Sequence, residues 1–387
     1  MNPKKTIVVK PTLNCNFRCR YCYEFNNNES RYSGSCMSSD TLTGFIEALA
    51  RIYPRDNIRW ILHGGEPLIT GARYLQEFIN AIRSVNNKYG TRFNFSIQTN
   101  ASLVSDDIIA ILENNFDLLS EPIIGVSIDG PRAVEDKARI LANGQSGFDC
   151  VMNGIKRIIN SKIGIAAICV VGKHNVSMAK EVYTFLKELN PVFCIFNACY
   201  NINTNGELEK LGISPNEYAK FICEIADIYV GDLLKQCDGS QIPICYPIQT
   251  MIKDLITKIS GIKVDASKKA ALDSFVYLYH NGELWFRDTM NQDVLHNAGY
   301  IGNLNMTDTS LKAALEAPLD LCSFEQFRDE MTKECQVCDI YDICRGGDCV
   351  ERENMKRKSE KYYAEYCGAR HLIYNHIKSL FYNVINC

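Results

Sequence analysis

Six short apolar runs of β type recur along the first half of the chain, at 6–10 (TIVVK), 58–63 (IRWILH), 93–99 (FNFSIQT), 123–129 (IIGVSID), 165–171 (IAAICVV) and 192–197 (VFCIFN). Their nearly unbroken apolar character predicts strands buried on both faces. Between them, segments with a helical period lie at 38–53, 72–89, 106–116, 149–161 and 177–190. Ser38 and Ser39 are N-cap candidates for the first of these helices, and Asp106 begins the third. Strand and helix alternating six times predict an α/β fold of right-handed βαβ units on a parallel sheet, either doubly wound or curved into a barrel. Functional side chains then belong at the carboxyl ends of the strands. The polar clusters fall there: a cysteine loop after the first run, HGGEP after the second, QTN ending the third and SIDGP ending the fourth.

Beyond residue 213 the period becomes helical, with PNEYAKFICEIADIYVGDLLKQ and YPIQTMIKDLITKI making a connector over 214–265. A second unit is expected from 266, opening on FVYLYHNGELWFRD as a hairpin that turns at Asn281-Gly282. A cysteine-rich segment follows, then the charged run ERENMKRKSEKYY, which is expected to form a solvated face.

Composition narrows the chemistry. With 387 residues, 46% of them hydrophobic, the chain can bury a large core. Its 42 basic and 45 acidic residues leave a net charge of −3, so no global field draws it to nucleic acid or an anionic membrane. No stretch approaches the roughly 18 apolar residues of a membrane span, and a cytoplasmic location is expected. Eighteen cysteines in a reducing compartment point away from disulfides and toward metal or iron–sulfur ligation. Ten of them (Cys36, Cys150, Cys169, Cys194, Cys199, Cys223, Cys237, Cys245, Cys322 and Cys387) are scattered and expected as small buried hydrophobes.

The other eight are clustered. Cys15-x3-Cys19-x2-Cys22 puts three thiols on one loop, which can hold three irons of a cubane and leave the fourth iron open to a cofactor or substrate. Zinc, with His63 as a fourth ligand, is the alternative. Near the carboxyl end, Cys335-x2-Cys338-x5-Cys344-x4-Cys349 is followed by Cys367 in EYCGAR. A structural zinc site is again the alternative to a cluster.

The CxxxCxxC loop after the first strand resembles the signature of the radical S-adenosylmethionine (SAM) enzymes, and further motifs extend the resemblance. Gly64, Gly65, Glu66 and Pro67 resemble the GGEP segment that meets the SAM amino group. Gln98, Thr99 and Asn100 resemble the QTNG of sulfatase-maturase-like members, with Ala101 where glycine is usual. Ser127 to Pro131, followed by Asp136 and Arg139, resembles their SxDGP...HDxxR stretch, with Glu135 in place of histidine. The resemblance implies that Tyr21 lies against the adenine, that Ser127 and Asp129 lie near the ribose, and that Arg139 clamps the SAM carboxylate.

The carboxy-terminal cysteines resemble the SPASM extension of peptide and protein maturases. By that likeness Cys335, Cys338, Cys344 and Cys367 hold one auxiliary [4Fe–4S] cluster, with Cys349 as the alternative ligand. A first auxiliary cluster is expected to be absent, because Arg287 stands where its cysteine should be and no cysteine lies between 246 and 321. Asp288 aligns with the family's catalytic aspartate.

The fold implied is a partial (β/α)6 TIM-like barrel over 1–213, the connector 214–265, and a small cysteine-rich iron–sulfur extension over 266–387. The implied activity is that of an oxidoreductase: a [4Fe–4S] cluster cleaves SAM to a 5′-deoxyadenosyl radical, which takes hydrogen from a residue of a ribosomally made peptide to form a thioether or C–C cross-link. Oxidation of a sulfatase Cys or Ser to formylglycine is the alternative, and RNA modification is disfavoured for want of a basic appendage. The partners implied are a peptide or protein substrate and a reductant such as flavodoxin or ferredoxin. Because the chemistry starts at residue 15, leader recognition falls to the extension, the barrel mouth or a separate protein.

Overall fold

The protein is described here by a computed structural model. It covers residues 4–26, 35–121, 123–235, 242–260, 275–286, 299–317, 333, 335–344 and 346–385; for 25, 26, 342, 349, 350 and 382–385 the backbone alone is described. In chain order the strands are β1 (Lys5–Lys10), β2 (Ile58–Leu62), β3 (Asn94–Thr99), β4 (Ile123–Ser127), β5 (Gly164–Val171), β6 (Phe193–Ala198), β7 (Ile244–Tyr246), β8 (Phe275–Tyr279), β9 (Glu283–Trp285) and β10 (Tyr300–Asn303). The chain divides into two compact units, one of Met1–Ser127, Arg139–Ile165 and Ala270–Asp320, the other of Ile128–Ala138, Ala166–Lys269 and Leu321–Cys387.

In the first unit the strands lie in the order β10-β9-β8-β1-β2-β3-β4. The pairs β1–β2, β2–β3 and β3–β4 are parallel. Helices Ser39–Ile52, Gly71–Tyr89 and Asp106–Asn114 make the crossovers, as the alternating periods predict. Ser38 caps the first, accepting from the Thr41 N–H at 3.1 Å, and Ser105 caps the third. Trp60 of β2, fully buried, meets Phe45 and Phe78 of the two flanking helices edge to face at 6.0 and 6.3 Å. Each such pair adds about 0.5–1.5 kcal/mol beyond its buried area. Burial on both faces holds for β1 throughout, whereas β2, β3 and β4 alternate buried with half-buried positions. Their helix-facing sides are packed, while the alternate side chains keep partial access to solvent.

The hairpin at 275–285 is present, turning at Gly282 with φ +84°. However, β8 pairs in parallel with β1, Lys10 opposite Tyr279, so this segment belongs to the first unit's sheet rather than with the carboxy-terminal cysteines. Short β10, absent from the sequence reading, adds antiparallel to β9.

In the second unit β5, β6 and β7 pair in parallel, with Ala166 opposite Phe193 and Phe193 opposite Ile244. The helices Pro215–Lys235 and Ile248–Ile259 match the expected connector, but β7 separates them. Three residues between Pro243 and Pro247 carry no readable period, which is why it was missed. The long helix Glu360–Ile385 packs on Pro215–Lys235. The charged run before it is helical, Cys349–Lys358, but it is no solvated face: Arg352 and Met355 are 1% exposed and Glu353 is 6%. Met355, Tyr362 and Tyr366 form a small core with Ile202. Among the described residues no helix is long and apolar enough to cross a membrane.

Candidate active site

The three amino-terminal cysteines lie on the loop that leaves β1, none of them in a disulfide and all half-buried. The backbone on either side is anchored. Phe17, 1% exposed, bridges Leu141; the Arg18 N–H donates to Ile140 O at 2.7 Å, and the Ala142 N–H to Asn16 O at 2.8 Å. The fully buried Lys10 ends β1 in an ion pair with Glu24, two residues past Cys22, and donates to the Tyr279 hydroxyl at 3.3 Å. Lys10 and Glu24 escaped the sequence reading because a lysine at the end of an apolar strand looks like an exposed flank.

HGGEP runs beside the loop's first half. Gly65 N–H donates to Thr12 O at 3.1 Å and Glu66 N–H to Asn14 O at 2.8 Å. Gly64 adopts φ +112°, where side chains are strained, and a Cβ on Gly65 would stand 2.2 Å from Asn14 O. His63 Nδ1 accepts from Gly64 N–H at 2.7 Å. Glu66 is fully buried: Oε1 accepts from Thr99 Oγ1 at 2.7 Å and Leu68 N–H at 3.0 Å, and Oε2 from Asn100 N–H at 2.7 Å. Burial pushes its carboxyl up, against the pull of those donors and of Arg139. Pro67 opens the turn that Glu66 caps. Asn100 completes the link, its Nδ2 donating to Asn16 Oδ1 at 2.9 Å and lying 3.8 Å from Cys15 Sγ. Burial, with Glu66 near, raises the free Cys15 thiol to about 11. Ligation to a metal would remove that proton.

Because three donors, two of them backbone N–H groups, converge on the two Glu66 oxygens, Glu66→Gln turns an amide N–H₂ toward at least one of them. The expected cost is about 1–3 kcal/mol, read as a lowered urea midpoint. An unchanged midpoint would mean the carboxylate does not organise this loop.

Arg139, 4% exposed, donates from Nη1 to the Tyr21 hydroxyl at 3.0 Å and lies 5.6 Å over the Phe17 ring. The motif residues Cys15 to Cys22, Gly64 to Pro67, Asn100 and Arg139 are thus linked within one unit. Gln98, half-buried, sits opposite Gly125, and Ser127 ends β4, also half-buried. Ala101, where the resemblance expects glycine, takes φ +63°.

Asp129 belongs to the second unit. It is fully buried, its Oδ1 accepting from Val170 N–H at 2.8 Å and its Oδ2 meeting His174 Nε2 at 3.1 Å. Its own N–H donates to Glu135, the residue standing where the family has histidine. This carboxylate ties the SIDGP loop to the end of β5. The partner His174 was missed, although GKHN at the carboxyl end of β5 was a readable signal.

In the same unit Cys335, Cys338, Cys344 and Cys367 line one cavity of about 350 Å³, joined there by Arg352, Tyr366, Arg370 and His371. The four expected auxiliary ligands are therefore together. Cys338, Asp339 and His371 also have ligand atoms within 4.8 Å of one another. Cys349 begins a helix, but its side chain lies outside the described residues, as do Arg287, Asp288, Cys237, Cys322 and Cys387. Of the scattered cysteines, Cys169, Cys194, Cys199, Cys223 and Cys245 are buried as expected; Cys36 and Cys150 are exposed.

Residues 9–186, which span the cysteine loop, HGGEP, QTN and SIDGP, match the family model of the radical SAM superfamily, so the chain carries a radical SAM domain and is an enzyme that uses SAM and iron–sulfur cofactors. Its relatives sharpen the class. A cysteine-type anaerobic sulfatase-maturating enzyme of Clostridium novyi (strain NT) is 26% identical over 359 residues, 88% of this chain and 87% of that protein. The solved structure of native anSMEcpe with bound AdoMet and Kp18Cys peptide superposes with a TM-score of 0.76 at 20% identity, over 98% of this chain and 99% of that one. Streptococcus suis SuiB bound to its precursor peptide SuiA superposes at 0.62 and 16% identity, over 93% of this chain and 74% of SuiB. The fold is that of these enzymes, an α/β radical SAM partial barrel with an extension.

Proposed function

We propose that Cys15, Cys19 and Cys22 hold the [4Fe–4S] cluster that binds SAM, and that the enzyme oxidises the target cysteine of a sulfatase-type substrate to formylglycine. The observation that carries the cluster assignment is three cysteines outside any disulfide on one anchored loop, with Gly64 and Gly65 bringing bare backbone against it. Three thiols fit a cubane with one open iron. The engagement of His63 Nδ1 with Gly64 weakens the zinc alternative. When bound, the cluster and SAM supply one-electron cleavage of a carbon–sulfur bond and so a carbon radical.

The chain's own residues then bind and orient. The backbone of Gly64 and Gly65, with Glu66 and Pro67 fixing its course, receives the SAM amino group. Arg139 offers its guanidinium to the SAM carboxylate, and Tyr21, held by Arg139, places its ring for the adenine. Gln98, Asn100 and Ser127 line the strand ends beside it, and Asp129 supports the ribose side through the loop it ties down. Cys335, Cys338, Cys344 and Cys367 hold an auxiliary [4Fe–4S] cluster, with Cys349 the alternative ligand, and Asp288 is the base that takes a substrate proton. A flavodoxin- or ferredoxin-type protein supplies the electron. The barrel function maps to 1–213 and the auxiliary function to the cysteines after 266.

The choice of substrate rests on the Clostridium novyi relative, matched over most of both chains. Cross-linking of a ribosomally made peptide is the second reading. Arg287 favours it, because it replaces the cysteine that sulfatase-maturase-like members carry before the catalytic aspartate.

Anaerobic incubation of sulfatase-type peptides carrying Cys or Ser, with SAM and dithionite, tests the choice by mass spectrometry. The expected product is an aldehyde at the Cys position. 5′-Deoxyadenosine formed without aldehyde from either peptide would reject formylglycine formation in favour of cross-linking.

A further inference from the structure

We infer that Arg352 and Arg370, with the His371 ring beside them, form a cage of nitrogen groups on the thiols of the carboxy-terminal cavity, and that this cage raises the reduction potential of the auxiliary cluster. The inference rests on the assignment of Cys335, Cys338 and Cys344 as ligands of that cluster. Three of the sulfurs are each met by a nitrogen of one of these side chains: Arg370 Nε to Cys344 Sγ at 2.9 Å, Arg352 Nη1 to Cys335 Sγ at 3.6 Å, and His371 Nε2 to Cys338 Sγ at 3.5 Å.

The placement is built rather than incidental. Cys367, Arg370 and His371 stand at i, i+3 and i+4 on the helix Glu360–Ile385, so a single face presents a ligand, a guanidinium donor and an imidazole nitrogen. Arg352 comes from the preceding helix, inside the run that sequence alone assigns to solvent. It is 1% exposed and braced by Gly346 O at 3.0 Å and the Tyr363 hydroxyl at 3.4 Å. Burying a guanidinium is costly unless negative charge offsets it. Inside this cavity the thiolates supply that charge.

The consequence for redox chemistry follows from charge. Four thiolates leave an oxidised cubane with net negative charge, and the added electron deepens it. Cationic groups and N–H···S bonds therefore stabilise the reduced form more than the oxidised form. His371 Nε2 faces Cys338, and Nδ1 lies 3.7 Å from Asp339 Oδ1. The residues act through the ligands and are positioning residues.

The test is an EPR-monitored redox titration of the reconstituted full-length chain, with Cys15, Cys19 and Cys22 changed to Ala so that the auxiliary cluster reports alone. Arg370→Leu and His371→Phe are expected to keep about four iron per chain and to move the midpoint to more negative potential. Arg370→Lys, which keeps the charge, is expected to move it less than Arg370→Leu. Unchanged midpoints in both Arg370→Leu and His371→Phe, at full iron content, would overturn the inference and leave these side chains a packing role. Absence of iron from the Cys15/Cys19/Cys22 background itself, or zinc in its place, would overturn the ligand assignment and the inference together.

Discussion

A chain in which Cys15, Cys19 and Cys22 are all alanine folds, keeps the iron of its carboxy-terminal cavity, and cleaves SAM no faster than reductant alone. The loop's course does not depend on the thiols. It is set by Phe17 in the core, by the backbone bonds of Arg18 and Ala142, and by the Lys10–Glu24 pair at its exit. Three Cys→Ala changes at half-buried positions leave all of those in place. The cavity cysteines stand in the other compact unit with their own helices. Iron analysis should therefore fall from about eight to about four per chain, while 5′-deoxyadenosine production, followed by chromatography, disappears. Loss of all iron would mean that the two cysteine sets do not load independently.

Gly65→Ala is expected to reach the same functional end by a different route. Its Cβ would lie 2.2 Å from Asn14 O and 2.3 Å from Leu13 O, both of them backbone atoms that cannot rotate away. Either the cysteine loop moves off, or the Glu66 N–H to Asn14 O bond opens. Overpacking of this kind costs about 1–3 kcal/mol, and here the displaced backbone carries Cys15. The variant should show a lowered denaturation midpoint, loss of the amino-terminal iron, and retention of the carboxy-terminal iron. Gly44→Ala is the matched control: it lies inside a helix with nothing within 4 Å of the added carbon. It should stabilise the chain by about 0.4–1 kcal/mol. A Gly65→Ala protein with full iron and unchanged stability would show that HGGEP does not pack on the loop.

Much of this was legible in the sequence for physical reasons. The first six strands and the five helices between them announce themselves because apolar runs and helical periods alternate cleanly, and the motifs sit at strand ends, where a parallel sheet puts its functional loops. The resemblance to the SPASM extension grouped Cys335, Cys338, Cys344 and Cys367, which line one cavity. What failed to show were features decided by tertiary context. β7 and β10 are three and four residues long and owe their existence to neighbouring strands. The burial of Asp129 depends on His174 and the Val170 N–H, partners that come from beyond its own motif. Arg352 lies in a run of charges, and only the cavity beside it explains why it is buried. The same limit applies to β8, whose hairpin turn was readable while its parallel pairing with β1 was not.

The fate of the substrate hydrogen tests the central claim most directly. A sulfatase-type peptide deuterated at the β-carbon of its target cysteine is incubated anaerobically with the reconstituted enzyme, SAM and dithionite, and the 5′-deoxyadenosine is analysed by mass spectrometry. Deuterium carried into 5′-deoxyadenosine, in step with aldehyde formation on the peptide, is the predicted result. Aldehyde-free peptide together with 5′-deoxyadenosine that holds no deuterium would contradict it.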